Sequence, residues 1–357
     1  MKLMVVRASL AVLVAVFLSP LQGQAADTAS QKAVLITGAS TGIGRAAAER
    51  LAANGYFVYA GARKAADIDE LNQIKNVKAV RLDVTKQEDI DAAVEMIRKE
   101  GRGLWGVVNN AGVNVVAPLI EADLSEFQFL FDVNVYGVFR VTKAFAPLVI
   151  ESKGRIVNIS SISGFLSGPG YGMYAGSKHA LEAMTDSLAM EMEYAGLGVD
   201  VIAVEPGNFA SEIGLTRCKR RLEDTDAKPY VYFEERRQAM LASCRERLKA
   251  GVENEGTPPD AVAATIEQAL FEENPKERYL IVPEQEEAGW TIAKVMDELL
   301  TLNARHEYSY TREELIELMD AYWPFAEGEK SWSDPKTAAE MEQFFEAWAN
   351  RKGKSKD

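Results

Sequence analysis

Ser161, Tyr174 and Lys178 are separated by 13 and 4 residues, inside the runs Ser160-Ser161-Ile162-Ser163-Gly164 and Tyr174-Ala175-Gly176-Ser177-Lys178. Four residues make about one helical turn, so the phenol and the ammonium share a helix face. A phenol with a pKa of about 10 is a poor base at neutral pH, and a neighbouring ammonium favours its phenolate. Ser161 comes from a separate segment, where its hydroxyl can hold a substrate oxygen while Tyr174 exchanges a proton with it. The chemistry within reach of these groups is proton transfer at an alcohol or carbonyl oxygen. Alone, a tyrosine and a lysine at helical spacing more often decorate a solvated face, so the surrounding elements decide the reading.

Upstream, the apolar run Ala33-Val34-Leu35-Ile36 has the character of a buried parallel strand. It enters Thr37-Gly38-Ala39-Ser40-Thr41-Gly42-Ile43-Gly44 and then a helix-forming run from Arg45 to Leu51. Strand, glycine turn and helix in that order let backbone N–H groups and a helix N-terminus face a pyrophosphate; a tight turn without a phosphate is the plainer alternative. A second strand, Tyr56 to Ala60, ends in Gly61-Ala62-Arg63-Lys64. An acid at this strand end would bond the ribose 2′-hydroxyl of NAD, whereas a nearby arginine accommodates the 2′-phosphate of NADP. Ala62 leaves the acidic place empty and Arg63 follows it, which favours NADP over NAD unless Arg63 is an ordinary surface cation. Val80 to Val84 reads as a third strand whose Asp83 could accept a bond from an adenine amino group. Trp105 to Val108 reads as a fourth, followed by the small-residue turn Asn109-Asn110-Ala111-Gly112. This alternation predicts an α/β fold with a doubly wound parallel sheet of about seven strands and helices on both faces.

Together these runs resemble the short-chain dehydrogenase/reductase family, over roughly residues 31 to 285. The resemblance rests on Thr37 to Gly44, Asp83, Asn109 to Gly112, Asn134 in Asn134-Val135-Tyr136-Gly137, Ser161, Tyr174, Lys178 and Pro206-Gly207. It implies a Rossmann-like domain and an NAD(P)-dependent enzyme. Tyr174 would be the general acid/base, and Lys178 would lower its pKa and hold the nicotinamide ribose. Ser161 would position the substrate oxygen, and Asn134 would hold a water linking Lys178 to solvent. The cofactor set would comprise Gly38, Ser40, Thr41, Gly42, Ile43, Gly44, Arg63, Asp83, Asn110, Ala111, Gly112, Tyr174, Lys178, Pro206, Gly207 and Ser211. Ser211 departs from the threonine the family often carries there, but it keeps the hydroxyl. The implied substrate is a secondary alcohol or ketone, with bulky steroid- or lipid-like molecules among the candidates, and a homo-oligomer is expected. A non-catalytic dinucleotide-binding redox sensor is the competing reading, and the presence of all four catalytic groups argues against it.

Forty basic residues against 53 acidic ones give a net charge of −13, so nucleic acid is not an expected partner. Lys2 and Arg7 precede an apolar run from Ala8 to Leu18, then Pro20 and Gly23-Gln24-Ala25-Ala26, the layout of a secretory signal peptide over residues 1 to 25. Export, to the periplasm in a bacterium, is therefore expected, with an uncleaved anchor and membrane association through the N-terminus as the alternative. Cys218 and Cys244, the two cysteines, could form a disulfide or remain thiols. Neither they nor the two histidines show metal-ligand spacing. The family resemblance implies that Glu212 to Ala250 would cover the substrate, and Lys219-Arg220-Arg221 and Glu234-Glu235-Arg236-Arg237 read as solvated helix faces. Residues 286 to 357 are expected to form a helical extension. Met341, Phe344, Phe345 and Trp348 fall at i, i+3, i+4 and i+7 after a helix start at Ser333-Asp334-Pro335, and Trp290 to Leu302 and Arg312 to Trp323 carry similar stripes. Packing on the core is expected of these stripes, with a partner or membrane contact as the alternative.

Overall fold

The computed structural model describes residues 31–224, 228–250, 256–330 and 334–350, so the expected signal segment and Ser333 lie outside the described residues. Seven strands form one parallel sheet: β1 (Ala33–Ile36), β2 (Phe57–Ala62), β3 (Val77–Arg81), β4 (Gly106–Asn109), β5 (Arg155–Ile159), β6 (Asp200–Pro206) and β7 (Arg278–Ile281). Their spatial order is 3-2-1-4-5-6-7, so the direction of winding reverses between β1 and β4. β1, β4 and β5 are buried along their whole length, as strands covered on both faces must be.

The intervening helices are α1 (Gly42–Ala53), α2 (Ala65–Leu71), α3 (Gln87–Glu100), α4 (Leu124–Phe131), α5 (Val138–Ser152), α6 (Gly172–Tyr194), α7 (Ile213–Glu223), α8 (Glu234–Lys249) and α9 (Asp260–Phe271). One face of the sheet is covered by Ala47, Ala48 and Leu51 of α1 with Val262, Ile266 and Leu270 of α9. The other is covered by Ile90 and Ile97 of α3, Val141, Phe145 and Leu148 of α5, and Met192 of α6. The doubly wound architecture expected from the sequence is therefore present.

β3 lies three residues earlier than the sequence suggests, pairing Ala62 with Arg81 at its end. Leu82 and Val84 remain buried beyond that pairing, so the apolar pattern continues into the turn and masks the strand's true end. α4 and α5 form one rod from Leu124 to Ser152, interrupted by a π-helical turn at Asp132–Gly137. By length and composition this rod could cross a membrane, yet Val133, Val141, Phe145, Leu148 and Val149 pack against the sheet.

Beyond β7 come α10 (Gln285–Asn303), α11 (Arg312–Ala326) and α12 (Pro335–Asn350). Thr311 and Glu314 form a reciprocal cap that starts α11, and Asp334 accepts the Thr337 N–H at 3.1 Å at the start of α12. The α12 stripe is sequestered: Met341 and Trp348 are buried, Trp348 stacks on Tyr310 at 3.9 Å, and its indole N–H donates to the Glu314 carbonyl at 3.3 Å. The α10 stripe behaves differently, because Trp290, Ile292, Leu300 and Leu302 remain exposed. Trp290 and Ile292 stand roughly 200° apart around a helix, so no single packed face can take both.

Candidate active site

β1, β4, β5 and β6 all end at one edge of the sheet, and the reversal between β1 and β4 opens a crevice there, where open α/β sheets bind ligands. The turn after β1 is tied to the turn after β4. The Thr37 hydroxyl accepts the Asn110 and Ala111 amides, each at 3.0 Å, and the Asn110 carboxamide donates to the carbonyls of Thr37 at 2.9 Å and Gly38 at 3.1 Å. Gly44 opens α1 directly against this junction, where a Cβ would collide with the Asn110 Nδ2 and the Gly38 oxygen. Within the turn, Ser40 is half-buried, Thr41 is exposed and Ile43 packs on the core, while Gly42 faces Ser211 from the loop after β6. The strand end, glycine turn and helix N-terminus thus form a backbone cradle of the kind a pyrophosphate fits.

Arg63 is exposed at the end of β2, with its carbonyl accepting Arg81 at 3.0 Å. Asp83 lies beyond the end of β3. Burial pushes its carboxyl up, but bonds from the Thr85 amide and hydroxyl and the charge of Arg63 outweigh that and hold it below its usual range. Ala111 and Gly112 line the start of the loop after β4, and Gly112 is exposed.

The four proposed catalytic groups converge on the same edge. Asn134 sits in the π-helical turn, donates to the Val113 carbonyl at 2.9 Å and the Ser177 hydroxyl at 3.1 Å, and accepts the Val113 amide at 2.8 Å. Such turns free backbone groups from the regular ladder and recur at functional sites. Lys178 is buried on α6, donates to the Ile159 carbonyl at 2.8 Å and lies 5.8 Å from the centre of the Tyr174 ring. The Ser161 hydroxyl is a hydrogen-bond partner of the Tyr174 phenol, accepts the Ser163 amide at 3.1 Å and donates to the Pro206 carbonyl at 3.4 Å. The expected lowering of the Tyr174 pKa does not emerge. Burial pushes the phenol up to about 12 against the opposing bond from Ser161, and burial also draws Lys178 down to about 8 against the charge of Glu182.

Several residues at this edge carry no local motif. Glu182, one turn after Lys178, and Glu205 of β6 are both buried and share Arg278 of β7, which also pairs with Asp186. Burial and the Glu182 charge raise Glu205 to about 7, with Arg278 opposing. Glu121 accepts the amides of Tyr232 at 2.9 Å and Phe233 at 3.1 Å, closing the covering segment onto the loop after β4. The contacts behind both clusters bridge long sequence separations, which periodicity cannot report.

Within that segment Cys218 of α7 and Cys244 of α8 form a disulfide, so the alternative of two free thiols is overturned. The basic cluster there is not a purely solvated face. Arg220 pairs with Glu126 at 2.9 Å, Arg221 donates to the Tyr230 hydroxyl, and both line a cavity of about 290 Å³ with Val115, Ala117 and Leu241. Arg236 and Arg237 likewise have partners, the Pro169 carbonyl and Glu234.

A doubly wound parallel sheet with a glycine cradle at its switch point is the architecture of dinucleotide-binding proteins. The sequence pattern of the short chain dehydrogenase family matches residues 32–221, and the chain belongs to that family. It is 34% identical over 277 residues to the mitochondrial D-beta-hydroxybutyrate dehydrogenase of Mus musculus, covering 71% of this chain and 78% of that one. It is also 34% identical over 272 residues to human 17-beta-hydroxysteroid dehydrogenase type 6, covering 72% and 81%. Among solved structures, a short chain dehydrogenase/reductase from Burkholderia phymatum in complex with NAD superposes with a TM-score of 0.65 at 26% identity, covering 77% of this chain and 96% of that one.

The disulfide closes a loop over a sequence separation of 26, so the Cys218→Ser, Cys244→Ser double variant should lose about 3 kcal/mol or less in chemical denaturation. Reductant should reproduce that loss in the wild type and cause none in the variant; equal sensitivity of both proteins would contradict the bridge.

Proposed function

We propose that the chain catalyses reversible hydride exchange between NADP(H) and a secondary alcohol or ketone, with Tyr174 as general acid/base. The observation that supports this best is the convergence of Ser161, Tyr174, Lys178 and Asn134 on the edge that carries the glycine cradle. The bound nicotinamide would supply or accept the hydride. Ser161 holds the substrate oxygen, and Tyr174 donates a proton to it during reduction or withdraws one during oxidation. With the phenol raised to about 12, Tyr174 stays protonated at neutral pH, the state that a forming alkoxide requires. Lys178 steadies the charge that develops on the phenol, and the Asn134 turn would hold a water on the path from Lys178 to solvent.

NADP is the preferred cofactor in this reading, because Ala62 offers no carboxylate and the guanidinium of Arg63 is exposed at the adenosine end. Val115 and Ala117, which belong to the apolar cluster packed against Tyr174 and line the cavity under the covering segment, favour a substrate with a hydrophobic body, of the steroid- or lipid-like class. Export fits the Cys218–Cys244 bridge, since disulfides persist in oxidising compartments. Residues 31–285 form the catalytic domain in this reading, with the covering segment at 212–250.

Tyr174→Phe should leave NADPH binding intact while turnover of a responsive ketone falls at least ~100-fold; near-normal turnover would remove Tyr174 from the chemistry. The burial-lowered Lys178 is cationic below about 8 and loses its charge above it. Ketone reduction should therefore hold steady through neutrality and decline as pH rises through that value, and a rate that climbs there would contradict the assignment. Initial rates with both cofactors should give a higher kcat/KM for NADPH than for NADH, and a ratio in favour of NADH would overturn the role of Arg63.

A further inference from the structure

The loop that leaves β6, Pro206 to Ser211, runs from the Ser161 hydroxyl to the side of Gly42, spanning the two halves of the site. Three elements hold it. The Gly207 amide donates to the Ile281 carbonyl at 2.8 Å at the end of β7, and the Ala210 amide donates to the Thr257 carbonyl at 2.8 Å ahead of α9. The third hold comes from the C-terminal extension. Glu287, in the first turn of α10, is 7% exposed and accepts the Asn208 amide at Oε2 and the Asn208 carboxamide at Oε1, each at 2.9 Å.

Both carboxylate oxygens are committed to one residue of the loop. No ion pair to Glu287 is present among the described residues, so the two neutral donors of Asn208 are its visible compensation. Bonds to an ionised acceptor are stronger than neutral ones, and here they fix both the backbone and the side chain of the same residue. The carboxylate lies so close that a Cβ on Gly207 would collide with Oε2. α10 holds Glu287 in place in turn, with the Thr291 hydroxyl donating to the Glu287 carbonyl at 2.8 Å.

We propose that Glu287 is a positioning residue for the nicotinamide end of the cofactor site, making the start of the C-terminal extension a working part of that site. This rests on the dinucleotide reading above. Glu287 acts through Asn208 by setting the path of Pro206-Gly207-Asn208, whose conformation fixes where a cofactor ring and the Ser161 hydroxyl meet. Gln cannot replace it fully, because its amide nitrogen would face one of two N–H donors.

The test uses full-length Glu287→Ala, Glu287→Gln and Asn208→Ala, with Lys294→Ala on the same helix as the control. NADPH affinity by fluorescence, ketone kcat and KM, and melting temperature are measured for each. Glu287→Ala should raise the NADPH Kd about tenfold and lower kcat, with Glu287→Gln and Asn208→Ala intermediate at roughly threefold and Lys294→Ala unchanged. A lower melting temperature with wild-type Kd and kcat in the Glu287 variants would mean that Glu287 only anchors α10, and would overturn the proposal. Should Glu287→Ala fail to fold, Glu287→Gln and Asn208→Ala decide by the same readouts. Absence of binding of either dinucleotide by the wild type would sink the functional reading itself, whereas normal wild-type binding with unchanged variants sinks the positioning role alone.

Discussion

The Thr37 hydroxyl and the Asn110 carboxamide tie the ends of β1 and β4 together across the place where the sheet reverses its winding. Adjacent parallel strands whose helices depart to opposite faces leave a gap at their carboxyl ends, and a gap with exposed backbone amides must be held open in a definite shape to recognise anything. Two side chains do this with four hydrogen bonds. Gly44 completes the constraint, because any larger residue would push α1 off the junction. The orientation of the α1 N-terminus, and with it the cradle, follows from that close approach.

A second polar system lies behind the proposed catalytic groups and ties their elements together. The Asn109 carboxamide bonds Thr142 of α5 at 2.9 Å and Asn158 of β5 at 2.8 Å, and Asn158 continues to Thr185 of α6 at 2.9 Å. This buried chain links β4, β5, α5 and α6, the elements that carry or flank Asn134, Ser161, Tyr174 and Lys178. The Asn109 Oδ1 atom has no partner among the described residues, so the chain is not fully satisfied; its three side-chain bonds would be lost on sliding, which favours one alignment of these elements. Glu182, Glu205 and Arg278 make a comparable link from α6 to β6 and β7.

The parts of this arrangement that could be read from the sequence are those whose signal is local. Ala33 to Ile36 is a strand because four apolar residues precede a glycine turn, and the Tyr174/Lys178 pair is legible because one helix carries both. Asp83 was legible as a residue but not as a strand end, since Leu82 and Val84 bury outside the pairing. Arg220 and Arg221 resemble a solvated face in sequence because their partners, Glu126 and Tyr230, belong to other segments. Glu287 is a further case: its partner Asn208 lies 79 residues away, and nothing near either residue marks the contact.

Burial explains both the electrostatics of the site and the need for its cover. The same desolvation that raises Tyr174 lowers Lys178, so each group is driven toward its neutral form and the pair carries less charge than their spacing in sequence implies. A neutral phenol suits the proposed proton donation; in that proposal charge would develop within low-dielectric surroundings, where Ser161 and Lys178 would act more strongly than they would in water. That advantage lasts only while solvent is kept out. The covering segment is therefore pinned at several separate points, by the Cys218–Cys244 bridge within it, by Glu121 at the start of α8 and by the Arg220–Glu126 pair to α4. Arg220 and Arg237 meet the carboxylates of Glu126 and Glu234, which lets part of a strongly polar segment pack beside the buried Tyr174 and Lys178.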